Sequence, residues 1–382
     1  MSSRIKKFLS RWELWTFAIL ALYPAICALV RAAFPSRVGE NFGDNLGDQF
    51  STLFVFAILA LGLNVAVGYT GLLQLGIAAF FGIGAYITGI FTVNSYPFQV
   101  GFTAALIMST AGAALFGLIL GSPTLRLRGD YLALVTLGFG EVVKVSLRNL
   151  EQITAGMKGL NPIPPPAIPG WLSGLAQWTG LDGGDYRLLY YISLAVLLCV
   201  VLFLHNLERS RLGRAWVAIR EDELAATCMG INEPRAKLAS FAVSAGLAGL
   251  AGCLYATKLT TTADPNAYDF NRSIIMLCCV ILGGLGSLRG TMLGVLLLMG
   301  FDNIVSPQLD NWLQASGVNE SATGWLRSIT SEGSSLPQVV DRFLTFSNWK
   351  LMIFGLALVL MMRFRPEGLL PSARVQHELH NQ

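Results

Sequence analysis

Charged residues are scarce in this chain: only 13% of its 382 residues are Asp, Glu, Lys or Arg. Soluble domains carry about 25% of such residues, whereas hydrophobic residues here reach 53% and the mean hydropathy is +0.57. This shortage of charge excludes an ordinary soluble domain. It also gives no extended basic face for nucleic acid, because the basic residues lie in short segments between apolar runs.

Motifs that bind metals, nucleotides or reacting groups are also missing. The chain has three histidines and six cysteines, and no two cysteines form a C-x-x-C pair, so neither a metal site nor a disulfide framework is indicated. The patterns G-x-x-x-x-G-K-[ST], H-E-x-x-H and G-x-S-x-G are absent. We therefore predict that the chain is not an enzyme, that it has no catalytic or metal-binding residues, and that it holds no cofactor of its own.

Continuous apolar runs, in contrast, recur from end to end, most of them long enough to cross a hydrocarbon core about 30 Å thick. A basic N-terminal segment precedes the first run without a cleavage site, which favours a retained first span. The predicted fold class is an all-α membrane protein with about ten transmembrane helices, some short or broken. The predicted spans are 12–33, 50–67, 72–93, 98–121, 131–148, 188–206, 238–257, 273–285, 290–305 and 349–364.

Lys and Arg are distributed unevenly between the loops, which predicts the orientation of the chain. With the N-terminus inside, most of them fall in the cytoplasmic segments 1–11, 122–130, 207–237, 286–289 and the tail from Arg363. Both termini are then cytoplasmic, and 149–187 and 306–348 are loops on the opposite side. We expect one transmembrane domain over residues 1–382, closed by a last span and cytoplasmic tail at 349–382.

One polar stretch, Ser210 to Asn232, interrupts the apolar runs and concentrates charge within a few turns. Its mixture of small, apolar and charged residues predicts one or two short amphipathic helices. Gly230 is placed to end the second of them, because glycine adopts the left-handed cap conformation at little cost. Such a hairpin between two spans, on the cytoplasmic side, is a surface that a soluble partner can grip.

Two glycine-rich turns, at 68–74 and 283–289, share the pattern G-x-x-G-x-L-[QR]. Glycine-interrupted segments in the two halves of a chain point to an internal repeat and to a transport pathway built from broken helices. So short a match leaves chance similarity open, and the polar residues could instead satisfy the backbone of the broken helices. The pathway candidates in these turns are Gly68, Tyr69, Thr70, Gly71, Gln74, Gly283, Gly284 and Gly286.

The predicted span 131–148 contains two ionisable residues, Glu141 and Lys144, which lie on one helical face. Ionisable side chains inside a membrane cost about 2.5–3.5 kcal/mol and usually face the bundle interior or a water-filled cavity. The pair is therefore a second pathway candidate, able to meet the two charges of a zwitterion. The alternative is a self-satisfied ion pair near the interface, with Lys144 reaching outward.

Small residues recur at spacings of four in several spans, which is typical of closely packed helices. Examples are Ser244, Ala248 and Gly252, then Gly117 and Gly121, and then Gly290 and Gly294. Taken together, broken membrane helices and a cytoplasmic hairpin without any ATP-binding motif predict a transporter whose energy comes from a separate subunit.

Five stretches carry a resemblance to a known family. They are GLNVAVGYTGLLQLGIAAFFGIGAY at 62–86, LRLRGDYLALVTLGFGE at 125–141, SRLGRAWVAIREDELAATCMGIN at 210–232, LGGLGSLRG at 282–290 and RPEGLLP at 365–371. With them the chain resembles the permeases of bacterial high-affinity branched-chain amino-acid ABC importers, and in particular the larger permease of such a pair. The resemblance covers most of 50–305, the family core, together with the tail.

The resemblance implies the membrane-spanning subunit of an ATP-driven importer of branched-chain or related amino acids, in the bacterial cytoplasmic (inner) membrane. Its partners would be a second homologous permease, two cytoplasmic ATPase subunits that bind ATP and Mg²⁺, and an extracytoplasmic solute-binding protein, with membrane lipid around the spans and no nucleic acid. The stretch 210–232, within the loop 207–237, then corresponds to the coupling hairpin that docks on the ATPase. The coupling candidates are Arg211, Gly213, Arg214, Arg220, Glu221, Asp222, Glu223 and Gly230.

The chain departs from the family pattern near the predicted outer face. Gly76-Ile77 stands where the family often has Gly-His, and Thr154-Ala-Gly-Met-Lys-Gly159 stands in place of Thr-Gly-Gly-x-x-Gly. These departures leave the substrate open, since permeases for urea or short amides share the architecture. A self-sufficient secondary transporter or channel would explain the spans but not the charged hairpin, and a membrane scaffold is a further alternative.

Overall fold

The computed structural model of the chain describes residues 20, 23, 37–97, 99–124, 130–166, 186–308, 350–365 and 368–370. The predicted first span, 12–33, lies almost entirely outside these residues, as does most of the predicted loop 306–348. The described residues form helices joined by turns, and no strand occurs among them. An all-α architecture is therefore confirmed for the described part of the chain.

Eleven helices longer than one turn are described, and we number them in chain order. They are α1 (Arg37–Asn64), α2 (Ile77–Thr92), α3 (Phe102–Thr124), α4 (Asp130–Asn149), α5 (Tyr186–Glu208), α6 (Arg211–Glu221), α7 (Glu223–Cys228), α8 (Glu233–Leu259), α9 (Phe270–Gly283), α10 (Leu288–Gly300) and α11 (Lys350–Phe364). Single turns add Glu151–Thr154, Gly156–Lys158 and Pro265–Tyr268. Two π-helical turns, Val65–Tyr69 and Phe301–Val305, extend α1 and α10.

Five helical segments of the described chain are long and apolar enough to cross a membrane. They are Gly47–Tyr69, Phe102–Pro123, Arg187–Glu208, Glu233–Leu259 and Leu288–Gln308. Each overlaps a predicted span, and the last is longer than its predicted span, 290–305, because it begins at Leu288 and continues to Gln308. The helices α2 and α9 are apolar but shorter, in keeping with predicted segments that are broken by glycine turns.

The helix α8 lies at the centre of the bundle, packed against α1, α2 and α3. Glycine makes this approach possible, since a Cβ atom added to Gly252 would lie 2.1 Å from the carbonyl oxygen of Phe81 in α2. On the other side, a Cβ added to Gly117 of α3 would lie 2.6 Å from that of Ala245. Both distances are shorter than any van der Waals contact, so the predicted packing role of these small residues is confirmed.

The helices α9 and α10 form a tight pair on either side of the second glycine turn. A Cβ atom on Gly294 would lie 2.0 Å from the carbonyl oxygen of Cys279. The tail closes over this turn, where the backbone amides of Leu369 and Leu370 donate to the carbonyl oxygens of Leu282 and Gly283 at 3.0 and 3.1 Å. The fold thus holds the tail motif against the second glycine turn.

Candidate functional site

The first glycine turn begins where α1 loosens into a π turn and then stops. The hydroxyl of Thr70 donates to the carbonyl oxygen of Ala66 at 2.6 Å and lies 3.2 Å from the hydroxyl of Ser240 in α8. Gly71 follows with a φ of +71°, a conformation that residues with a Cβ rarely adopt. The chain then runs without regular structure to the start of α2. The predicted break in the helix is therefore present, with Tyr69 and Thr70 buried beside it.

Gln74, the last residue of this turn, lies buried between α4 and α8. Its side-chain oxygen accepts a hydrogen bond of 2.9 Å from Ser244, and the next backbone amide, that of Leu75, donates to Thr136 of α4 at 3.0 Å. Two buried amide nitrogens beside the turn, Nε2 of Gln74 and Nδ2 of Asn64, have no hydrogen-bond partner in the described structure. Buried donors left in this way are costly, typically about 1–3 kcal/mol each.

The two glycine turns meet in space. The side-chain oxygen of Asn64 accepts a hydrogen bond of 2.9 Å from the amide of Gly286, so the end of α1 is joined directly to the turn after α9. Gly286 has a φ of +76° and occupies the same place in its motif as Gly71. A Cβ atom on Gly68 would lie 2.0 Å from the side-chain oxygen of Asn64 and 2.5 Å from the amide of Gly286.

Arg220 of the polar hairpin reaches into this meeting point. Its Nη1 atom donates to the carbonyl oxygen of Gly68, and the same atom lies 3.3 Å from the position that a Cβ on Gly286 would occupy. We call Asn64, Gly68, Gly71, Gly286 and Arg220 the glycine junction. Sequence reasoning grouped its three glycines as pathway candidates but placed Arg220 on the partner-facing surface, and it offered no role for Asn64.

The other two candidate glycines of the second turn support its shape. Gly283 ends α9 and lies so close to α10 that a Cβ there would be 2.1 Å from the carbonyl oxygen of Gly290. Gly284 follows with a φ of +118°. Both are buried, so they fix the backbone of the turn.

The polar hairpin consists of two short helices, α6 and α7, as the residue pattern predicts. Each begins at a side-chain cap: Ser210 accepts from the amide of Gly213, and Asp222 accepts from the amides of Leu224 and Ala225 at 2.8 and 3.1 Å. Gly230 follows α7 with a φ of +84°. Local sequence therefore sets both ends of the hairpin, since caps of this kind contribute about 1 kcal/mol each.

Two buried contacts attach the hairpin to the bundle. The indole nitrogen of Trp216, a fully buried side chain, donates to the carbonyl oxygen of Ala236 in α8 at 2.8 Å. Gly213 lies against the end of α5, where a Cβ would be 2.4 Å from the carbonyl oxygen of Leu207. The helix α6 is consequently held at both its start and its middle.

Lys237 makes a third attachment through an ion-pair cluster. Its Nζ atom lies 2.6 Å from a carboxylate oxygen of Glu223 and 2.6 Å from one of Glu233. The lysine is only 3% exposed, and the two carboxylates are its ion-pair partners in this buried position. Glu223, a predicted docking residue, is thereby engaged within the chain.

The outward surface of the hairpin is formed by other side chains. The candidates Arg211, Arg214, Glu221 and Asp222 are exposed, and Arg214 donates to the carbonyl oxygen of Arg209 at 2.9 Å. Two large apolar side chains project beside them, Leu224 at 69% and Met229 at 84% exposed. Sequence reasoning missed these two, although apolar residues inside a charged stretch were a signal that could have found them.

Glu141 and Lys144 form an ion pair on α4, as in the alternative that the sequence left open, with 2.6 Å between their charged atoms. Glu141 also borders a small, partly open cleft between α2, α4 and the start of α9. Its polar lining adds Asp269, which caps α9, and Ser273, whose hydroxyl accepts from the amide of Ala78 at 3.1 Å. The apolar lining includes Leu75, Ala79, Leu137 and Phe270. Neither Asp269 nor Ser273 was identified from the sequence.

No metal-binding arrangement accompanies these sites within the described residues, where no group of three His, Cys, Asp or Glu side chains could hold an ion. The chemistry available at the cleft is that of a carboxylate next to apolar walls. At the glycine junction, one arginine of the polar hairpin donates to the carbonyl oxygen of Gly68 and lies beside Gly286, so this side chain links α6 to two helix breaks.

Comparison with protein families gives a match over residues 45–362 to the model described as branched-chain amino acid transport system / permease component. Among curated proteins, the high-affinity branched-chain amino acid transport system permease protein LivM of Escherichia coli (strain K12) is 36% identical over 94% of this chain and 77% of its own length. The protein of the same name from Salmonella typhimurium is 36% identical over 87% of this chain and 71% of its own length.

A second relative, which is also named as a permease of this transport system, is less similar to the chain. The high-affinity branched-chain amino acid transport system permease protein LivH of Escherichia coli (strain K12) is 23% identical over 64% of this chain and 79% of its own length. No solved structure matches the chain.

Proposed function

Since the chain belongs to the family of permease components of branched-chain amino acid transport systems, we propose that it is the larger membrane-spanning subunit of an ATP-driven importer of branched-chain or related amino acids. It works with a second homologous permease, two cytoplasmic ATPase subunits that bind ATP and Mg²⁺, and an extracytoplasmic solute-binding protein. The complex lies in the bacterial inner membrane, with both termini of this chain in the cytoplasm and about ten spans in the chain as a whole.

The observation that carries the coupling mechanism is the contact between Arg220 and Gly68. The ATPase binds α6 and α7. A displacement of α6 then acts through Arg220 on the glycine junction, where the turns after α1 and α9 meet. Because the hairpin is fixed to α8 by Trp216 and Lys237, it moves with that helix as one body. ATP hydrolysis in one subunit thus changes the relative position of the glycine turns in another.

The docking surface consists of the exposed side of this hairpin. Leu224 and Met229 supply apolar contacts at its centre, because a large exposed apolar side chain on a cytoplasmic loop gains free energy by entering a groove of a partner. Arg211 and Arg214 with Glu221 and Asp222 form the charged rim. Glu223, which the sequence placed among the docking residues, also holds α7 to α8 through Lys237.

The pathway passes the glycine junction on its way inward from the cleft at Glu141. Two unsatisfied buried donors, on Asn64 and Gln74, support this route, since water or a polar substrate entering an opened pathway would satisfy them. At the cleft, the carboxylate of Glu141 can receive an ammonium group while Leu75, Leu137 and Phe270 contact an aliphatic side chain. Lys144 pairs with the Glu141 carboxylate at the edge of the cleft.

Reconstitution tests this function. The complete transporter, with its solute-binding protein, is placed in liposomes and the uptake of radiolabelled leucine is measured with and without ATP. We expect accumulation that requires ATP and this chain, and competition by isoleucine and valine but not by urea or acetamide. Competition by urea or acetamide alone would replace the amino-acid assignment with an amide one.

A further inference from the structure

The helix α4 presents one face that no described part of the chain covers. Along α4, the exposed side chains recur at helical spacing and form a continuous stripe, which we call the α4 seam. Its members are Tyr131, Leu134, Val135, Gly138, Val142 and Val145. At its centre, the space beside Gly138 is empty, since a Cβ there would meet no atom within 4 Å.

The α4 seam differs from the exposed face of the neighbouring helix α3. The exposed side chains of α3 include Ile107, Leu115, Phe116 and Ile119, and α3 contains no charged residue. A face of this kind suits lipid. The helix α4 instead carries Glu141 about 60° around its axis from Gly138, with 40% of the Glu141 side chain exposed. A charge in that position is costly against lipid tails.

Glu141 therefore lies on the border between the seam and the cleft. Its carboxylate is paired with Lys144 and at the same time lines the cleft beside Leu137 and Gly140. On the seam side, the described residues leave it open. A neighbouring protein that covered the seam would keep Glu141 away from lipid and would complete the wall of the cleft.

The relatives indicate which protein this is. Two different proteins of Escherichia coli, LivM and LivH, both carry the description of permease of the high-affinity branched-chain amino acid transport system, and both match this chain. Two related chains that serve one system are expected to pair about an approximate two-fold axis, with equivalent faces in contact. The face that each brings to this contact must be suited to protein and not to lipid.

We propose that the α4 seam is the contact surface for the second permease, and that Glu141 lies where this contact meets the substrate cleft. This inference rests on the proposed function, because it requires a transporter with two permeases. The partner's helix packs into the gap at Gly138, which gives the close backbone approach that small residues allow in membranes. The cleft is then completed by both chains, so the substrate is bound between them.

Site-specific photocrosslinking tests this contact. The photoreactive residue p-benzoylphenylalanine is placed singly at Leu134, Val142 or Val145 in the complete transporter, in native membranes. The controls carry it at Leu115 or Ile119 of α3, where the wild-type side chains are similarly exposed. After irradiation, mass spectrometry identifies what each position has captured.

At least two of the three α4 positions should give an adduct with the second permease, at five or more times the yield of the α3 positions. Adducts from α3 with the second permease, combined with none from α4, would overturn the inference. So would α4 adducts confined to lipid, to this chain itself or to a second copy of it. Co-purification of the ATPase with each variant shows that the complex has formed. A missing contact at the α4 seam is then distinguishable from a failure of the proposed function.

Discussion

Arg220 of α6 donates a hydrogen bond to the backbone carbonyl of Gly68, 152 positions earlier in the chain. This contact joins the polar hairpin to the break in α1, and through Asn64 and Gly286 to the break after α9. A single side chain is thus in contact with both glycine turns. If the Arg220 contact is lost, ATP hydrolysis should continue while less substrate is transported.

Replacing Arg220 with lysine should lower ATP-dependent uptake about tenfold, equivalent to about 1.4 kcal/mol of transition-state free energy. Lysine keeps the charge but lacks the planar fork that reaches a carbonyl and a neighbouring turn together. ATP hydrolysis by the complex should continue, so the ratio of substrate imported to ATP hydrolysed falls. The control is Arg235→Lys, at an exposed position outside the junction. Equal ratios in the two variants would refute the mechanical role of Arg220.

The negative charge of Glu223 should be required for ATP-dependent uptake, because this carboxylate pairs with Lys237. Glu223→Lys places two cations against each other, and we expect the protein to remain in the membrane but to lose ATP-dependent uptake. The reversed pair, Glu223→Lys with Lys237→Glu, should recover part of the uptake. If the reversed pair is as inactive as the single variant while the ATPase still co-purifies, Glu223 acts directly on the ATPase instead.

Removing the lysine alone should destabilise the hairpin. Lys237→Met leaves the carboxylates of Glu223 and Glu233 without their cation, and losing one partner of a buried ion pair typically costs about 3–5 kcal/mol. We expect faster cleavage of the segment 207–237 by added protease in inside-out vesicles. Arg235→Met, two positions earlier on the surface, provides the matched control, and cleavage at the same rate in both would show that the cluster contributes little.

The apolar tip of the hairpin should be required for docking. Met229→Asp and Leu224→Asp place a charge in the predicted groove of the ATPase, so the ATPase should no longer co-purify, while the amount of permease in the membrane stays unchanged. Met157→Asp alters an exposed methionine in a predicted outer loop and should leave co-purification intact. Retention of the ATPase by both hairpin variants would assign docking to other residues.

Glu141 should act on the substrate and not on assembly. Glu141→Gln removes the charge but keeps the size of the side chain, so we expect uptake of leucine to fall while the ATPase and the second permease still co-purify. We expect uptake to fall because the apparent KM for the loaded solute-binding protein increases. Measurements in proteoliposomes would show this increase. Unchanged transport would identify the Glu141–Lys144 pair as structural.

The local features of the structure could be predicted from the sequence. The ends of α6 and α7 follow from Ser210, Asp222 and Gly230, because caps act within a few residues. The apolar spans and the close helix packing at Gly117 and Gly252 follow from composition and spacing. The ion pair of Glu141 with Lys144 follows from a separation of three positions on a helix.

The contacts between residues far apart in the chain could not be predicted from the sequence. That Arg220 faces Gly68, and that Glu223 pairs with Lys237, depends on how α6 and α7 fold back on the bundle, which no local pattern specifies. The repeated glycine motif did suggest that the two turns are related, and they do meet, with Gly71 and Gly286 both at positive φ. The hydrogen bond that joins them comes from Asn64, which lies outside the motif and attracted no attention as a buried polar residue.

We expect this chain to move amino acids only when a separate ATPase drives it through the hairpin. Uptake of radiolabelled leucine into proteoliposomes tests it most directly, with the complete transporter compared with this chain alone under an ion gradient. We expect ATP-dependent accumulation by the complete transporter and none by the chain alone. Accumulation by the chain alone, at a rate unaffected by ATP, would contradict it.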